Sequence, residues 1–519
     1  MQPTEKEIAF WRGALVKKPT LRSRIGPLRK YLKLFASMYG TYTLVRLIRF
    51  FVWRNRMLER FNGPKANPVL GNLGDLADAG GFNEVFFERL HDKYGPIARF
   101  FIGPSLNISV VDPAAQMEVY QKCPSRPPET ALFLGYLGKD NLLFTHGEMV
   151  KKMRLRYGKM ISAVSQLRKV HDVTRERFVN VMKAWGDAGP VDLFKEMGPV
   201  LYDVMGTVIF NIPWSETKEG PEIYRLHKYL IENANHWVFY PVSPIWNPKY
   251  REYLQVIRDW RAVCGQLLDQ RRAAIASNPK QYADDLSALT MLVTETNSDG
   301  TPFFTEHRAV SSLCGFLNGA YDTTHSTAFW LLFNLACNHG SQLKLIQELD
   351  RVIGHEEPSV EQLRSCEYLD AVINESMRIR CTVPVNQRVN LDEDVVVAGH
   401  VIPKGTNINI PMFRTFKETE YFGPATDKFI PERFLGSSPA AEKARRSIMA
   451  FGARKRMCVG FTFALVELKC ILATVFQHHS VHLVNPVEKG TFMIEAGVNQ
   501  PDRKFPLEFR HRAKTTSNK

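Results

Sequence analysis

The sequence predicts a mainly α-helical fold: one helix-rich domain with small β-sheets, preceded by a basic N-terminal segment. Three observations predict it. Long stretches repeat apolar residues at the helical period: Glu148–Val164, Gln166–Trp185, Glu196–Phe210, Tyr250–Ser277, Glu306–Cys337, Ser341–Ile353 and Val360–Arg380. Strand-like runs bounded by Gly and Pro are confined to residues 97–112, Arg388–Ile410 and Phe492–Phe509. Basic charge is gathered at one end: residues 1–62 hold 14 Lys and Arg against 3 Asp and Glu, a surplus of 11 out of a net +15.

At the N-terminus, Tyr31–Trp53 is the most apolar stretch, broken by Lys33, Arg46 and Arg49, and its uncharged part runs only from Leu34 to Val45. A spanning helix needs about 20 mostly apolar residues. Three readings therefore stay open: a tilted membrane anchor, an amphipathic helix lying in the interface, or a mitochondrial presequence, which Glu5 and Glu7 disfavour. The basic run Arg54–Arg60 would hold that end on the cytoplasmic side. Gly63-Pro64, Pro68, Gly71-Asn72 and Gly74 then break the helix, so residues 1–62 read as a basic membrane-anchoring segment and residues 63–519 as the body.

Because the body carries so little net charge, a nucleic-acid enzyme is excluded; such a domain would bear its basic stripe on the folded surface. In the body, residues 97–112 read as a hairpin around Gly103-Pro104, and a last helix is expected from Val459 to His478. The eight cysteines show no C-x-x-C spacing, which suggests neither a zinc site nor a disulfide framework. Most read as small buried apolar residues.

Cys458 differs. The run Phe451-Gly452-Ala453-Arg454-Lys455-Arg456-Met457-Cys458-Val459-Gly460 sets a cysteine between a basic loop and an apolar helix. A thiol at a helix N-terminus beside cations is placed to ionise. A thiolate on haem iron pushes electron density toward oxygen and favours O–O cleavage. Taken alone, the run also fits a buried cysteine beside a solvated or phosphate-binding loop. Three further motifs precede it: Gly319-Ala320-Tyr321-Asp322-Thr323-Thr324 in an apolar helix, Glu375-Ser376-Met377-Arg378, and Pro431-Glu432-Arg433-Phe434.

In this order the motifs resemble the cytochrome P450 family, over about residues 63–510. The resemblance implies the family's fold around a catalytic domain, with Cys458 as iron ligand. Phe451, Gly319, Arg154, Arg388 and Arg456 are then haem-binding candidates, the three arginines as partners of its propionates. Asp322 and Thr323 become the proton-delivering pair, and Glu375, Arg378 and Arg433 a buried structural network. Read locally, Thr323 and Thr324 could equally bond to preceding helix carbonyls.

Two positions depart from the family pattern. Arg454 stands where a glycine is usual, which implies an altered or strained loop. Val150 stands where a tryptophan is usual, leaving one propionate to Arg154, Lys151 or Lys152. The resemblance further implies oxygen activation at haem (iron protoporphyrin IX). Electrons would come from NADPH through a separate cytochrome P450 reductase, with cytochrome b5 as a second donor, or from a ferredoxin if the presequence reading holds. The aromatic segments Phe133–Leu137 and residues 237–246 suggest a lipophilic substrate, a sterol or a fatty acid, entering from an endoplasmic-reticulum membrane; ordinary lid packing explains them as well. Competing functions are a peroxide isomerase or lyase of the same fold, against which Asp322-Thr323 argues, and a non-enzymatic haem sensor.

Overall fold

The computed structural model describes residues 21–127, 135–187, 189–238, 246–354, 356–485, 492–495 and 497–512. The chain divides into two compact units, Met1–Gly63 and Pro64–Lys519. In the first, α1 is a single helix, Leu21–Arg60. It carries a run of exposed apolar side chains that includes Met38, Tyr39, Tyr42, Leu44, Val45, Leu47 and Ile48.

The second unit begins with a glycine-rich approach to α2 (Glu84–Tyr94). The predicted hairpin follows as β1 (Ile97–Ile102) and β2 (Ser105–Val110), antiparallel across Gly103-Pro104. Next come α3 (Pro113–Lys122), α4 (Gly147–Ile161), α5 (Val164–Asp187), the two-residue β3 (Val191–Asp192) and α6 (Leu193–Met205). A π-helical turn, Gly206–Phe210, ends α6; a side chain at Gly206 would run into the Trp214 ring. Then follow α7 (Gly220–Val238), α8 (Pro248–Ser277), α9 (Ala288–Thr294), α10 (Glu306–Cys337) and α11 (His339–Val352).

The predicted helix Val360–Arg380 is two helices, α12 (Val360–Arg364) and α13 (Glu367–Ile379). A capping box of Ser359 and Gln362 opens the first. The Glu348 carboxylate of α11 accepts the Tyr368 and Leu369 amides at 2.8 and 2.9 Å, so it caps the start of the second from outside.

Residues 385–411 give β4 (Val385–Arg388), β5 (Val395–Val397), β6 (His400–Ile402) and β7 (Asn407–Pro411). The largest sheet has the order β1-β2-β7-β4, with only β2 and β7 parallel. The last helix, α14, spans Phe461–His478 and leads to β8 (His479–Leu483), β9 (Phe492–Glu495), β10 (Val498–Pro501) and β11 (Pro506–His511).

The core is built around α10 and α14. α10 is buried along most of its length, with Phe329, Trp330, Leu331 and Leu332 fully enclosed. α14 packs along α5, where the Cys470 thiol donates to the His171 carbonyl at 3.2 Å. Among the described residues, α14 is the helix long and apolar enough to cross a membrane, but 67% of it is buried, as a core helix would be. α1, interrupted by charges, does not reach that hydropathy.

Candidate active site

The loop before α14 is closed by its own backbone. The Cys458 amide donates to the Phe451 carbonyl at 2.9 Å, the Gly452 amide to Met449 at 2.7 Å, and the Met457 amide to Arg454 at 3.1 Å. Arg454–Arg456 forms a 3-10 turn, and the Phe451 ring meets Phe461 edge-on at 4.9 Å. α14 starts at Phe461 rather than Val459, because Val459-Gly460 make a turn that sets Cys458 just before the helix. Six cysteines are buried; Cys337 and Cys458 are exposed.

Cys458 is exposed, yet protein surrounds its thiol closely. Burial therefore raises its thiol pKa, while the Gly460 amide and the Arg154 guanidinium pull it back down. The protein alone does not hold a thiolate here. A metal ion would, since a coordinating thiol is deprotonated outright.

Arg154, on α4, donates to the Met457 carbonyl at 2.8 Å and so braces the residue next to Cys458. Arg456 donates to three carbonyls, those of Pro124 at 2.7 Å, Leu142 at 3.2 Å and Thr145 at 2.7 Å, which leaves N–H groups on its two terminal nitrogens for a further acceptor. Arg388 differs: at 1% exposure, its Nη1 bonds Asn386 and the Gln387 carbonyl, but Nε and Nη2 have no hydrogen-bond partner. Its guanidinium lies over the Tyr120 ring at 4.9 Å. Arg126, which the sequence did not single out, is a further candidate beside these arginines. Burial, then Arg388 and Arg456 beside it, pushes its pKa down to about 9. Three guanidiniums crowd together, and no carboxylate figures among the groups acting on Arg126 or Arg388. Two propionates are the anions this arrangement fits. Neither candidate lysine turns inward: Lys151 pairs with Glu148 at the surface, and Lys152 is exposed.

On α10, Gly319 is exposed in the middle of an otherwise buried helix, and a side chain there would meet no protein atom within 4 Å. That leaves room for a flat group against the backbone. Thr323 Oγ1 donates to the Gly319 carbonyl at 2.7 Å, which is the local helix bond, and this leaves its oxygen free to accept. Asp322 is 3% exposed and points into the interior, where its charge acts on Tyr136, Tyr202 and Tyr321. One turn earlier, Tyr136 donates to Asn318.

The Glu375 network is complete. Arg378 makes a two-pronged bond to Glu375, at 2.7 and 2.9 Å, and donates to the carbonyls of Phe416, Thr426 and Lys428. Arg433 Nε lies 3.1 Å from both Glu375 oxygens, and the Ile430 amide adds a bond at 2.7 Å. Glu375 thus ties α13 to the segment 422–434 leading to the cysteine loop.

Of the two aromatic segments, Phe133 and Leu134 lie outside the described residues, as do residues 239–245. Gly135–Leu137 is a 3-10 turn with Tyr136 and Leu137 buried, while Trp246 is 79% exposed.

A thiol at the head of a core helix, a glycine-opened helix carrying an acid and an alcohol, and unanswered guanidiniums define a haem-thiolate enzyme. The family model for Cytochrome P450 matches residues 61–509, and the chain belongs to that family. It is 27% identical to "Probable cytochrome P450 49a1" of Drosophila melanogaster, over 81% of this chain and 77% of that one. It is 26% identical to "Iridoid oxidase" of Catharanthus roseus, over 80% and 84%. To "Cytochrome P450 3A25" of Mus musculus it is 24% identical, over 87% and 91%. The protein is accordingly a haem-binding, oxygen-incorporating monooxygenase.

Proposed function

We propose that the enzyme oxidises a lipophilic small molecule, of sterol or fatty-acid type, at the endoplasmic-reticulum membrane with its catalytic domain facing the cytoplasm. Electrons come from NADPH through a separate cytochrome P450 reductase, with cytochrome b5 as a second donor. The observation that carries this reading is α1: apolar side chains from Met38 to Ile48 are exposed beside the exposed Arg46 and Arg49. Such a surface suits an anionic lipid interface, where each nearby cation contributes about 1 kcal/mol. The exposed cations Arg454 and Lys455 on the cysteine loop suit an acidic redox partner.

When bound, the haem supplies the oxygen-activating chemistry. Cys458 would be its ligand, Arg388 and Arg126 would hold its carboxylates, Gly319 would leave room for it, and Phe451 packs within the loop that carries Cys458. Thr323 offers an accepting hydroxyl, and the Asp322 carboxylate stands behind it to pass protons on. Titrating the haem-loaded enzyme with a panel of sterols and fatty acids tests the substrate class. A saturable spin-state change and NADPH-dependent product are expected for at least one lipid. Turnover with peroxide alone, without NADPH or reductase, would favour the isomerase reading instead.

A further inference from the structure

Behind Asp322, the crossing of α6, α7 and α10 gathers three tyrosines. Tyr202 lies 5.0 Å from Tyr224 and 5.0 Å from Tyr321, ring centroid to ring centroid, and Tyr224 lies 6.0 Å from Tyr321, all edge-on. The Tyr224 and Tyr321 hydroxyls are 3.4 Å apart. Gly198 of α6 makes room for them: a Cβ there would sit 2.6 Å from Tyr224 Oη and 2.9 Å from Tyr321 Oη. The Tyr202 hydroxyl is buried without a hydrogen-bond partner. Buried phenols normally find a partner, often an ordered water.

Phenylalanine would serve the packing equally well at all three positions, so the hydroxyls need another account. Tyr224 is half-buried at the outer end of the group. Its pKa is raised first by burial, then by the charges of Glu232, Asp322 and Glu196. Glu196 and Glu232 are themselves about half exposed, at 49% and 51%. Burial and Asp322 also raise Tyr202 and Tyr321 well above the ordinary phenol range. All three phenols therefore stay protonated at neutral pH, able to accept on oxygen while donating their own proton.

We propose that Tyr224 and Tyr321, in the space left by Gly198, form a hydroxyl relay that carries protons from the Glu196–Glu232 surface to Asp322, with a water on Tyr202 completing it. The relay rests on the proton-delivering role given to Asp322 above. Each hydroxyl gains a proton on its oxygen as its own passes on, so one proton moves from solvent to the Asp322 carboxylate, and only O–H bonds form or break. The tyrosines are positioning residues; none is placed at the haem.

The test uses full-length, haem-loaded enzyme with NADPH and a reductase. Tyr321→Phe, Tyr224→Phe, Gly198→Ala and Asp322→Asn are compared with Tyr157→Phe, a buried phenol outside the group. NADPH consumption in H2O and D2O, peroxide released per NADPH, haem content and melting temperature are read together. The relay variants are expected to slow NADPH use at least about five-fold, below the roughly 10²–10⁴-fold that a positioned acid or base provides, and to raise the solvent isotope effect while haem content holds. A crystal structure of the holoenzyme should show a water on Tyr202 Oη. Wild-type rates and isotope effects in both Phe variants, with Asp322→Asn slow, would overturn the relay alone. A silent Asp322→Asn would overturn the role of Asp322 and the relay with it. A Phe variant that loses haem or melts early, with its isotope effect unchanged, also counts against the relay.

Discussion

At Arg454 the backbone has φ +57°, a left-handed value that a side chain adopts at a cost of about 1–2 kcal/mol. The loop has therefore kept the conformation a glycine would take, and has placed an arginine in it. Part of the cost is offset by contact, since Arg454 Nε lies 3.2 Å from Met117 Sδ of α3. Arg454→Gly is expected to leave the unfolding free energy unchanged or raise it by up to about 1 kcal/mol. A fall in denaturant midpoint would mean that the Met117 contact outweighs the strain. Arg388 carries the second prediction at this scale. Its two unanswered donors make Arg388→Leu lose haem faster than wild type on dilution into apomyoglobin, and Arg126→Leu should do the same. Equal loss rates would assign the propionates elsewhere. Glu375→Gln strands Arg378 and Arg433 in the interior, and about 3–5 kcal/mol of stability should go with it, read by chemical unfolding.

Among the elements, α10 ends where its apolar period ends, at Glu306 and Cys337, and was legible in full. α12 and α13 were not, because the cap that separates them comes from Glu348 on another helix, and no local pattern carries that. α7 was missed because Gly220-Pro221 reads as a break, although Pro221 occupies the first turn of the helix, where it is tolerated. The site divides in the same way. Cys458, Glu375 and Gly319 sit in local motifs, so the sequence could single them out as candidates. The division of labour among Arg126, Arg154, Arg388 and Arg456 depends on which carbonyls lie near each, and that is tertiary information. α14 makes a prediction of its own. Burial raises Glu467 to about 8, well above its unfolded value of about 4.3. The folded state thus binds the proton more tightly. The stability this contributes is full below the unfolded pKa, and is lost as pH rises through the folded one. Stability of the wild type should fall between about pH 5 and 8, and Glu467→Gln should flatten that slope. An identical slope in the variant would mean that another group titrates.

For the whole molecule, the charge asymmetry and α1 belong together. A surplus of 11 positive charges in residues 1–62 meets exposed apolar side chains on one helix. Deleting residues 1–62 is expected to abolish sedimentation with anionic vesicles, while wild-type binding weakens with salt, as screening requires. Undiminished binding by the shortened chain would place the membrane contact on the body. The central claim is that sulfur from Cys458 holds the iron at the head of α14. The reduced carbon-monoxide difference spectrum of wild type and Cys458→Ser measures this directly. The wild type should give the red-shifted Soret band of a thiolate ligand and the variant should lose it; a variant that kept the band, or a wild type whose spectrum showed nitrogen ligation, would contradict the assignment.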